Sequence, residues 1–425
     1  GNLENTIEVV LKESPLLMNN QILPNTSLSI TPPPLKLGSF LERVKGALAD
    51  AWWKFTTGSW DLFRFRFLVR ASDEQLQREG LRRAISAFYN AVERVPAYAC
   101  FYRSHLKKED GTEVMPRQFQ EIPETGKKEY IQQKDMRWNE FFLDGRIPQT
   151  GQIDSTSGTT GEPVVWARSQ EELSVTQKLM SFARRAKFGT DDVCLINTFA
   201  LGPWATGVTL AGAGPQQALT FNPGTTGNFI EATLGYLKKI PEDRTIVLFG
   251  YPPNIRKIAE AIQADTVLSG KNLKLQAIVG GEGMSEDLRQ DILDKGFSGV
   301  FSSYGASDLD INIGNETDTE IAIRKACIQN PALAKELYGG GPPPMIFHYD
   351  PLHYYIEANK DGELVFTCCR KERASPRIRY NLHDTGKVMM AKDVVAILKK
   401  YGVDITPRVN LPFVFVHGRE GAVNF

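Results

Sequence analysis

Between residues 191 and 305, short runs of β-type residues alternate with helical stretches, and polar or glycine-rich turns separate them. The runs DDVCLINTF (191–199), RTIVLFG (244–250) and LKLQAIVGG (273–281) are typical of buried strands. Repeated strand–helix units fold as parallel sheets, because a helix carries the chain back between parallel neighbours. The sequence therefore predicts an α/β fold with parallel-rich sheets flanked by helices, and ligands at the carboxyl ends of the strands.

The rest of the chain is predicted to contain an arm and a core. Residues 1–75 form an N-terminal arm, which contains the proline-rich SITPPPLKL and an aromatic-rich segment at 40–70. The rings of that segment either cover an apolar groove of the main body, which we favour, or contact a membrane or a partner. The core follows at 76–417, and its strand-like part at about 345–417, after the flexible YGGGPPP, is a smaller β subdomain.

Charge and composition argue against several classes of function. The 425 residues carry 50 basic and 50 acidic side chains, so the neutral total gives no support for nucleic acid as a partner. No run of about 18 apolar residues occurs, which predicts no transmembrane segment, and the first residues do not resemble a secretory signal. The five cysteines and five histidines show no metal-ligand spacing, so we expect free thiols and a cytoplasmic location.

Residues 155–166, STSGTTGEPVVW, place hydroxyl residues and two glycines in one row ahead of a β-type run. In a loop of small residues, backbone N–H groups and hydroxyls can point at one centre, which is how proteins hold phosphate oxygens. Gly158 and Gly161 permit the backbone angles that such a loop needs. The segment is not a Walker A loop, because no Gly-Lys-Ser/Thr follows, and taken alone it also fits an ordinary loop.

Three later segments place polar residues next to β-type runs. In FSSYGASDLD, the ring of Tyr304 could stack on a base and the carboxylate of Asp308 could hold Mg²⁺. In RIRYNLHDTGKV, Asp384 could accept hydrogen bonds from ribose hydroxyls through both oxygens. In HGREGAVNF, Arg419 follows an apolar strand. Each residue also has a plain structural explanation, as a core ring, a turn former or a surface charge.

In their order along the chain, STSGTTGEP, VGGEGMSEDLRQDIL, YGASD and RIRYNLHD resemble the core motifs of the adenylate-forming enzymes. This family contains the acyl-CoA synthetases, the adenylation domains of peptide synthetases and the luciferases, and the likeness is closest to its phenylacetate–CoA ligase branch. The resemblance covers roughly residues 80–425. It implies catalytic roles, at the phosphates and Mg²⁺, for Ser157, Thr159, Thr160 and Asp308. It implies nucleotide or hinge positions for Gly158, Gly161, Gly281, Glu282, Gly283, Tyr304, Gly305, Ser307, Asp384 and Arg419.

The sequence departs from the family pattern at three positions. Val164 stands where the phosphate loop often carries Lys, Asp308 replaces the usual Glu of the Mg²⁺ site, and Gly421 replaces an acid after the hinge arginine. Residues 418–425 correspond to the start of the hinge, and the family's C-terminal lid has no counterpart in the sequence. We therefore expect this chain to bind nucleotide and acid but to adenylate slowly on its own.

The acid pocket is expected at the strand ends in TFALGPWATGVTLAGAG (198–214) and FGYPPN (249–254). The residues predicted to line it are Phe199, Trp204, Gly207, Tyr251 and Gly280. Plain core packing explains the tryptophan equally well. No acidic residue is clearly placed to pair with an amino group, which favours an aryl or fatty acid over an amino acid.

The resemblance implies ATP-dependent, Mg²⁺-assisted activation of a small-molecule carboxylic acid as an acyl-adenylate, with release of pyrophosphate. Transfer to a thiol follows, and the acceptor is CoA or the phosphopantetheine of an acyl carrier protein. Two alternatives stay open: formation of an amide or an acyl-protein from the adenylate, and a degenerate, non-catalytic nucleotide-binding scaffold protein. A homodimer is a further expectation.

Overall fold

The computed structural model describes residues 67–106, 116–133, 135–155, 164–188, 192–407 and 409–419, so the predictions for residues 1–66 lie outside the described residues. The helices are α1 (Asp73–Arg94), α2 (Pro96–Leu106), α3 (Gln170–Phe188), α4 (Ala205–Ala213), α5 (Phe229–Leu237), α6 (Pro252–Ala264), α7 (Glu286–Asp294), α8 (Asp318–Gln329), α9 (Pro331–Tyr338) and α10 (Ala391–Lys400). The strands are β1 (Gly151–Ser155), β2 (Val165–Ser169), β3 (Val193–Thr198), β4 (Leu219–Phe221), β5 (Thr245–Gly250), β6 (Lys274–Gly280), β7 (Phe297–Ala306), β8 (Asp310–Asn315), β9 (Met345–Tyr349), β10 (Tyr354–Ala358), β11 (Glu363–Cys368), β12 (Tyr380–Met389) and β13 (Phe413–Arg419). Short 3₁₀ or π segments are Phe119–Glu121, Lys127–Ile131, Trp138–Phe141, Leu143–Gly145 and Gly214–Gln216.

Eleven of these strands form one sheet, in the order β10–β11–β12–β13–β9–β8–β7–β6–β5–β3–β4. Strands β4, β3, β5, β6 and β7 pair in parallel. The crossovers between them run through α4, α5, α6 and α7, which is the alternation that the sequence shows. The predicted α/β fold with parallel-rich sheets flanked by helices is therefore confirmed.

The parallel strands present two different faces. On one face, Ile196, Leu248 and Ala277 are fully buried, and they pack against Ile255 and Ile258 of α6. Each large side chain that is removed from water in this way contributes about 1.5–3 kcal/mol. On the opposite face, residues of α3 and of the strands line opposite walls of a cleft.

Strands β8 to β13 pair antiparallel and extend the sheet beyond β7. The strand-like part predicted at about 345–417 contains β9 to β13, which join the parallel half through β8. Gly339, Gly340 and Gly341 have positive φ angles and follow α9, a conformation that suits glycine at a helix end. The predicted domain boundaries stay a prediction.

Helices α1 and α2 pack on each other at one side of this sheet. Helix α1 begins after Ser72, whose side chain accepts a hydrogen bond from the N–H of Gln75 and so satisfies a free donor of the first turn. Phe88 of α1 packs against Tyr98 and Phe101 of α2 in a buried aromatic cluster. No helix among the described residues combines the length and the apolar character needed to cross a membrane.

Candidate active site

A cleft of about 2550 Å³ extends from the face next to α3 to the carboxyl ends of the parallel strands. The loops after parallel strands meet at this edge, which is where α/β folds bind ligands. The predicted site residues that line the cleft are Phe199, Trp204, Tyr251, Gly280, Gly281, Glu282, Gly283, Tyr304, Gly305, Ser307, Asp308 and Asp384. Those that lie outside the described residues are Ser157, Gly158, Thr159, Thr160, Gly161 and the side chain of Arg419.

The two described ends of the predicted phosphate loop lie on a hairpin. Strands β1 and β2 pair antiparallel with Ser155 opposite Val165, so residues 156–164 connect their ends in the sequence. The backbone N–H of Ser155 donates to the carbonyl oxygen of Pro203 at 2.8 Å, next to Trp204 on the cleft wall. The paired strand ends Ser155 and Val165 therefore lie beside the cleft.

Arg168 on β2 connects this hairpin to the turn between β7 and β8. Its guanidinium donates to Asp154 Oδ2 at 2.5 Å and to the carbonyl oxygen of Ser307 at 2.6 Å. It also donates to Glu172 on α3 at 3.3 Å. The Arg168 side chain is 5% exposed, so water does not compete with these charge-assisted bonds. The hairpin of the predicted phosphate loop and the turn of Asp308 are thus anchored to one side chain.

Asp308 follows β7 and is held both through its side chain and through its backbone. The buried hydroxyl of Tyr380 donates to Asp308 Oδ2 at 2.9 Å, and Arg377 Nε donates to the carbonyl oxygen of Asp308 at 2.9 Å. Asp308 Oδ1 makes no hydrogen bond within the described part of the chain. One carboxylate oxygen at the cleft is therefore left for another ligand.

Tyr304 and Asp384, which are predicted to contact adenine and ribose, bind each other at the cleft. The hydroxyl of Tyr304 donates to Asp384 Oδ2 at 2.6 Å. The Tyr304 ring stacks on Phe347, with the ring centres 5.6 Å apart and the planes 21° apart. Asp384 lies on β12 opposite Arg419 of β13, so the backbone brings the predicted ribose and hinge residues together.

Gly305 and Gly281 allow the backbone to approach its neighbours at the cleft. A Cβ at Gly305 would lie 2.2 Å from the carbonyl oxygen of Ile311, so a side chain there would separate β7 from β8. Gly281 has a φ of 82°, and a Cβ there would lie 2.7 Å from the ring of Tyr251. Both glycines are therefore required by geometry, whatever ligand the cleft takes.

Tyr251 is a shared wall between the glycine-rich segment 281–283 and the predicted acid pocket. Phe199 meets the Tyr251 ring edge-to-face, with the ring centres 5.2 Å apart. Burial, helped by the nearby carboxylate of Glu282, raises the pKa of the Tyr251 hydroxyl, which keeps it neutral at physiological pH. This part of the cleft is thus lined by aromatic rings.

Gly207 does not line the cleft, unlike the other residues predicted for the acid pocket. A Cβ at Gly207 would lie 2.0 Å from the carbonyl oxygen of Ala200. The glycine therefore allows α4 to pack against the segment that follows β3. Its position serves packing, while Phe199 and Trp204 on the same segment line the cleft.

Sequence reasoning missed a cluster of buried charges behind the β7–β8 turn. Asp310 Oδ2 accepts hydrogen bonds from Arg370 at 2.7 Å and from the hydroxyl of Tyr354 at 2.8 Å, and Arg373 lies 3.6 Å away. Burial acts to raise the pKa of Asp310, but the surrounding guanidinium groups outweigh it and lower the pKa. The signal in the sequence was RKERASPRIRY, which places four arginines within residues 370–379.

Arg377 belongs to the same cluster and contacts the hairpin. Its guanidinium carbon lies 3.9 Å from the centre of the Trp166 ring on β2, which is a cation–π contact. Burial lowers the pKa of Arg377 to about 10, so the side chain stays charged at neutral pH. Arg377 therefore joins the Asp308 backbone to the hairpin, as Arg168 joins the backbone of Ser307 to it.

Curated phenylacetate–coenzyme A ligases are similar to this chain, although no protein-family model matches it. The enzyme of Thermus thermophilus is 27% identical over 318 residues, which are 74% of this chain and 65% of the relative. The enzyme of Escherichia coli is 23% identical over 333 residues, which are 75% of this chain and 68% of the relative. This similarity supports membership of the adenylate-forming superfamily. The chain spans about two thirds of the length of these relatives.

Solved structures of 2-hydroxyisobutyryl-CoA ligase have a similar fold. An open conformation of 2-hydroxyisobutyryl-CoA ligase, in complex with 2-HIB-AMP and CoA, aligns with a TM-score of 0.60 and 14% identity. The alignment covers 83% of this chain and 77% of that chain. The same enzyme in its postadenylation state aligns with a TM-score of 0.58. At this identity the likeness shows the fold alone.

Proposed function

We propose that this chain is the nucleotide- and acid-binding part of an AMP-forming acid–CoA ligase. The observation that carries the proposal is the meeting of Tyr304, Asp308 and Asp384 in one cleft, although 80 residues of sequence separate the first from the last. The glycine-rich segment 281–283 lines the same cleft, and the ends of the predicted phosphate loop lie beside it. The similarity to phenylacetate–coenzyme A ligases supports the same class of reaction.

The proposed reaction has two steps. An oxygen of the substrate carboxylate attacks the α-phosphorus of ATP, and the bond to pyrophosphate breaks. The thiolate of CoA then attacks the carbonyl carbon of the acyl-adenylate, and the bond to AMP breaks. Both steps depend on positioning and on charge neutralisation more than on a protein nucleophile. The proposed contributions of this chain are contacts: stacking by Tyr304 on adenine, acceptance by Asp384 from the ribose hydroxyls, and donation by residues 157–161 to the phosphates.

Asp308 is the residue that would hold Mg²⁺. In nucleotide sites Mg²⁺ binds one or two carboxylates together with phosphate oxygens and waters, so the spare carboxylate oxygen of Asp308 fits it. The described residues contain no group of three or more candidate metal ligands, so phosphates and waters would supply most of the coordination. When bound, Mg²⁺ neutralises charge on the phosphates.

The proposed substrate is an aryl or fatty acid, because Phe199, Trp204 and Tyr251 line the pocket and all carry rings. The phosphopantetheine of an acyl carrier protein is a second proposed acceptor, since it ends in the same thiol as CoA. The division into an arm (1–75), a core (76–417) with its β part and a hinge start (418–425) stays part of the proposal. A homodimer and a cytoplasmic location are also part of the proposal.

Acid-dependent exchange of labelled pyrophosphate into ATP tests the proposal. We expect exchange with an aryl or fatty acid, from this chain or from this chain fused to the C-terminal lid domain of a relative. Asp384→Ala removes both proposed hydrogen bonds to ribose, so kcat/KM for ATP should fall by about 100-fold. Asp294→Ala, at an exposed residue of α7, is the matched control and should leave the exchange unchanged.

The other outcomes point to the alternatives. Exchange that is never followed by thioester formation with CoA or carrier protein favours formation of an amide or an acyl-protein. ATP binding without exchange for any acid, from either form of the protein, contradicts the proposal and favours the nucleotide-binding scaffold protein.

A further inference from the structure

The cleft continues past the predicted nucleotide side, between α3 and the sheet. Here the sheet contributes Leu195, Phe249 and Ile278, and α3 contributes Leu179 and Met180. Both walls are apolar, so an acyl group placed between them leaves water and contacts carbon atoms on either side. We call this part of the cleft, between α3 and these strands, the acyl channel.

The acyl channel becomes polar toward the amino end of β6. Gln276 lies on β6 four residues before Gly280, which is about 13 Å along the strand. Its partner on β7 is Gly299, and a Cβ at Gly299 would lie 2.7 Å from the ring of Phe301 and 3.7 Å from Gln276 Cδ. The ring of Phe301 and the amide of Gln276 therefore lie side by side over Gly299.

Lys187 on α3 reaches the same ring from the opposite wall. Its Nζ lies 3.0 Å from the centre of the Phe301 ring, and it makes no ion pair with a carboxylate among the described residues. The nearby carboxylate of Glu316 is instead bound by Arg289 at 2.8 Å. An ammonium has three donors, so Lys187 can donate to a ligand while it contacts the ring.

Gln276 has a polar atom that the described part of the protein does not satisfy. Its Oε1 is buried and accepts no hydrogen bond within that part. A buried acceptor without a donor is unfavourable, and a ligand that supplies the donor removes the penalty. The far end of the acyl channel thus combines an acceptor that needs a donor with an ammonium that can donate.

We propose that the acid substrate carries a hydroxyl group at the end opposite its reacting carboxylate. This hydroxyl accepts a hydrogen bond from Lys187 and donates one to Gln276 Oε1, and the inference rests on the proposed function. A hydroxyl both donates and accepts, so it satisfies both side chains. A methyl group satisfies neither, and a carboxylate satisfies only the lysine. Phenolic and alkyl hydroxyls share this chemistry, so the assay includes both.

The test is pyrophosphate exchange with matched sets of acids that differ only at the far end. One set is phenylacetate with a para hydroxyl, methyl or carboxyl group, and the other is a medium-chain acid with the same three end groups. We expect kcat/KM for the hydroxy acid to exceed that for the methyl acid by at least about tenfold in one set, since a site that binds a hydroxyl rejects the analogue without it. The set that shows the preference identifies the hydroxyl as phenolic or alkyl.

Two variants assign the preference to the proposed side chains. Lys187→Met and Gln276→Leu should each reduce the preference to about threefold or less through a lower kcat/KM for the hydroxy acid, a higher kcat/KM for the methyl acid, or both. Continued exchange with the methyl acid also reports correct folding. Lys178→Met, at an exposed residue on the same helix, should keep the full preference.

Three results would overturn this inference while the proposed function stands: equal use of the hydroxy and methyl acids, a preference for the carboxyl-ended acid, or a hydroxyl preference that survives both variants. No exchange with any acid is a different result, because it rejects the proposed function itself and removes the basis of the inference.

Discussion

Two tyrosine–aspartate pairs lie at the same cleft, and they differ in how firmly the tyrosine is held. Tyr380 donates to Asp308 from a position with 0% exposure. Tyr304 donates to Asp384 from a half-buried position on the cleft wall. The hydroxyl of Tyr380 has no contact with water. The hydroxyl of Tyr304 can exchange its hydrogen bond to Asp384 for one to water or to a ligand. We infer that Asp308 is presented in a fixed geometry and that Asp384 is held by a bond that a ligand displaces.

The surroundings of each pair explain the difference. The first pair lies beside the buried arginine cluster of Arg370, Arg373 and Arg377, which ties the β7–β8 turn to β2 and α3. In the second pair, Tyr304 stacks on Phe347, and Asp384 lies on β12 opposite Arg419 of β13. Substitutions that break the first pair should therefore have larger effects than substitutions that break the second.

The largest effect is expected from Arg370→Met, which disrupts the arginine cluster beside the first pair. The variant leaves Asp310 buried without its nearest cation, so the free energy of unfolding should fall by about 3 kcal/mol. Urea unfolding at pH 7 measures the change. Arg256→Met removes an exposed partner of Asp291 and should cost less than about 1 kcal/mol. Equal effects of the two substitutions would contradict the structural role of the cluster.

The pH dependence of this loss follows from the lowered pKa of Asp310. A lowered pKa gives stability that is present above the unfolded-state pKa of about 3.9 and is lost as the pH falls through the folded-state value. The difference between the wild type and Arg370→Met should therefore be largest near neutral pH and shrink below about pH 4. A difference that grows in acid would contradict this assignment.

Tyr380→Phe breaks the first pair directly and should have the next largest effect. Without its donor, the carboxylate of Asp308 gains rotational freedom, so we expect pyrophosphate exchange to slow about tenfold and to need more Mg²⁺. A Mg²⁺ titration of the exchange rate measures both changes. Tyr401→Phe is the matched control, because its hydroxyl donates to Glu336 at 2.6 Å outside the cleft. An unchanged Mg²⁺ requirement in Tyr380→Phe would contradict the proposal that Asp308 holds the metal.

Tyr304→Phe breaks the second pair and should have the smallest effect. A bound nucleotide would displace the hydroxyl from Asp384, and the ring that stacks on Phe347 is kept. The Kd for ATP, measured by calorimetry, should therefore change by less than about threefold, because the bond that is lost is absent from the complex. Weakening by more than tenfold would show that the hydroxyl binds the ligand, and the two pairs would then be equivalent.

The parallel half of the fold could be predicted from the sequence because its strands and helices are local and regular. Candidate residues such as Tyr304 and Asp384 could be proposed because they follow strands in recognisable motifs, and their binding roles stay predictions. The bond between these two side chains could not be predicted, since it joins residues 80 positions apart in sequence. The pairing of Asp310 with Arg370 could not be predicted for the same reason, since the two residues lie 60 positions apart and neither was given a role in a motif. Gly207 was predicted to line the pocket because a glycine at a strand end leaves room there, and the sequence alone cannot show that a Cβ at Gly207 would meet the carbonyl oxygen of Ala200.

The position of β13 has a consequence for the order in which the protein is assembled. Residues 413–419 insert between β12 and β9, although both of those strands come earlier in the chain. During synthesis, β12 and β9 therefore each expose an unpaired edge until β13 emerges, and such edges favour aggregation. The carboxylate of Asp384 gains its neighbouring strand only at that moment. The cleft is thus completed only after residues 413–419 have been synthesised, and a chaperone that shields these edges would protect it until then.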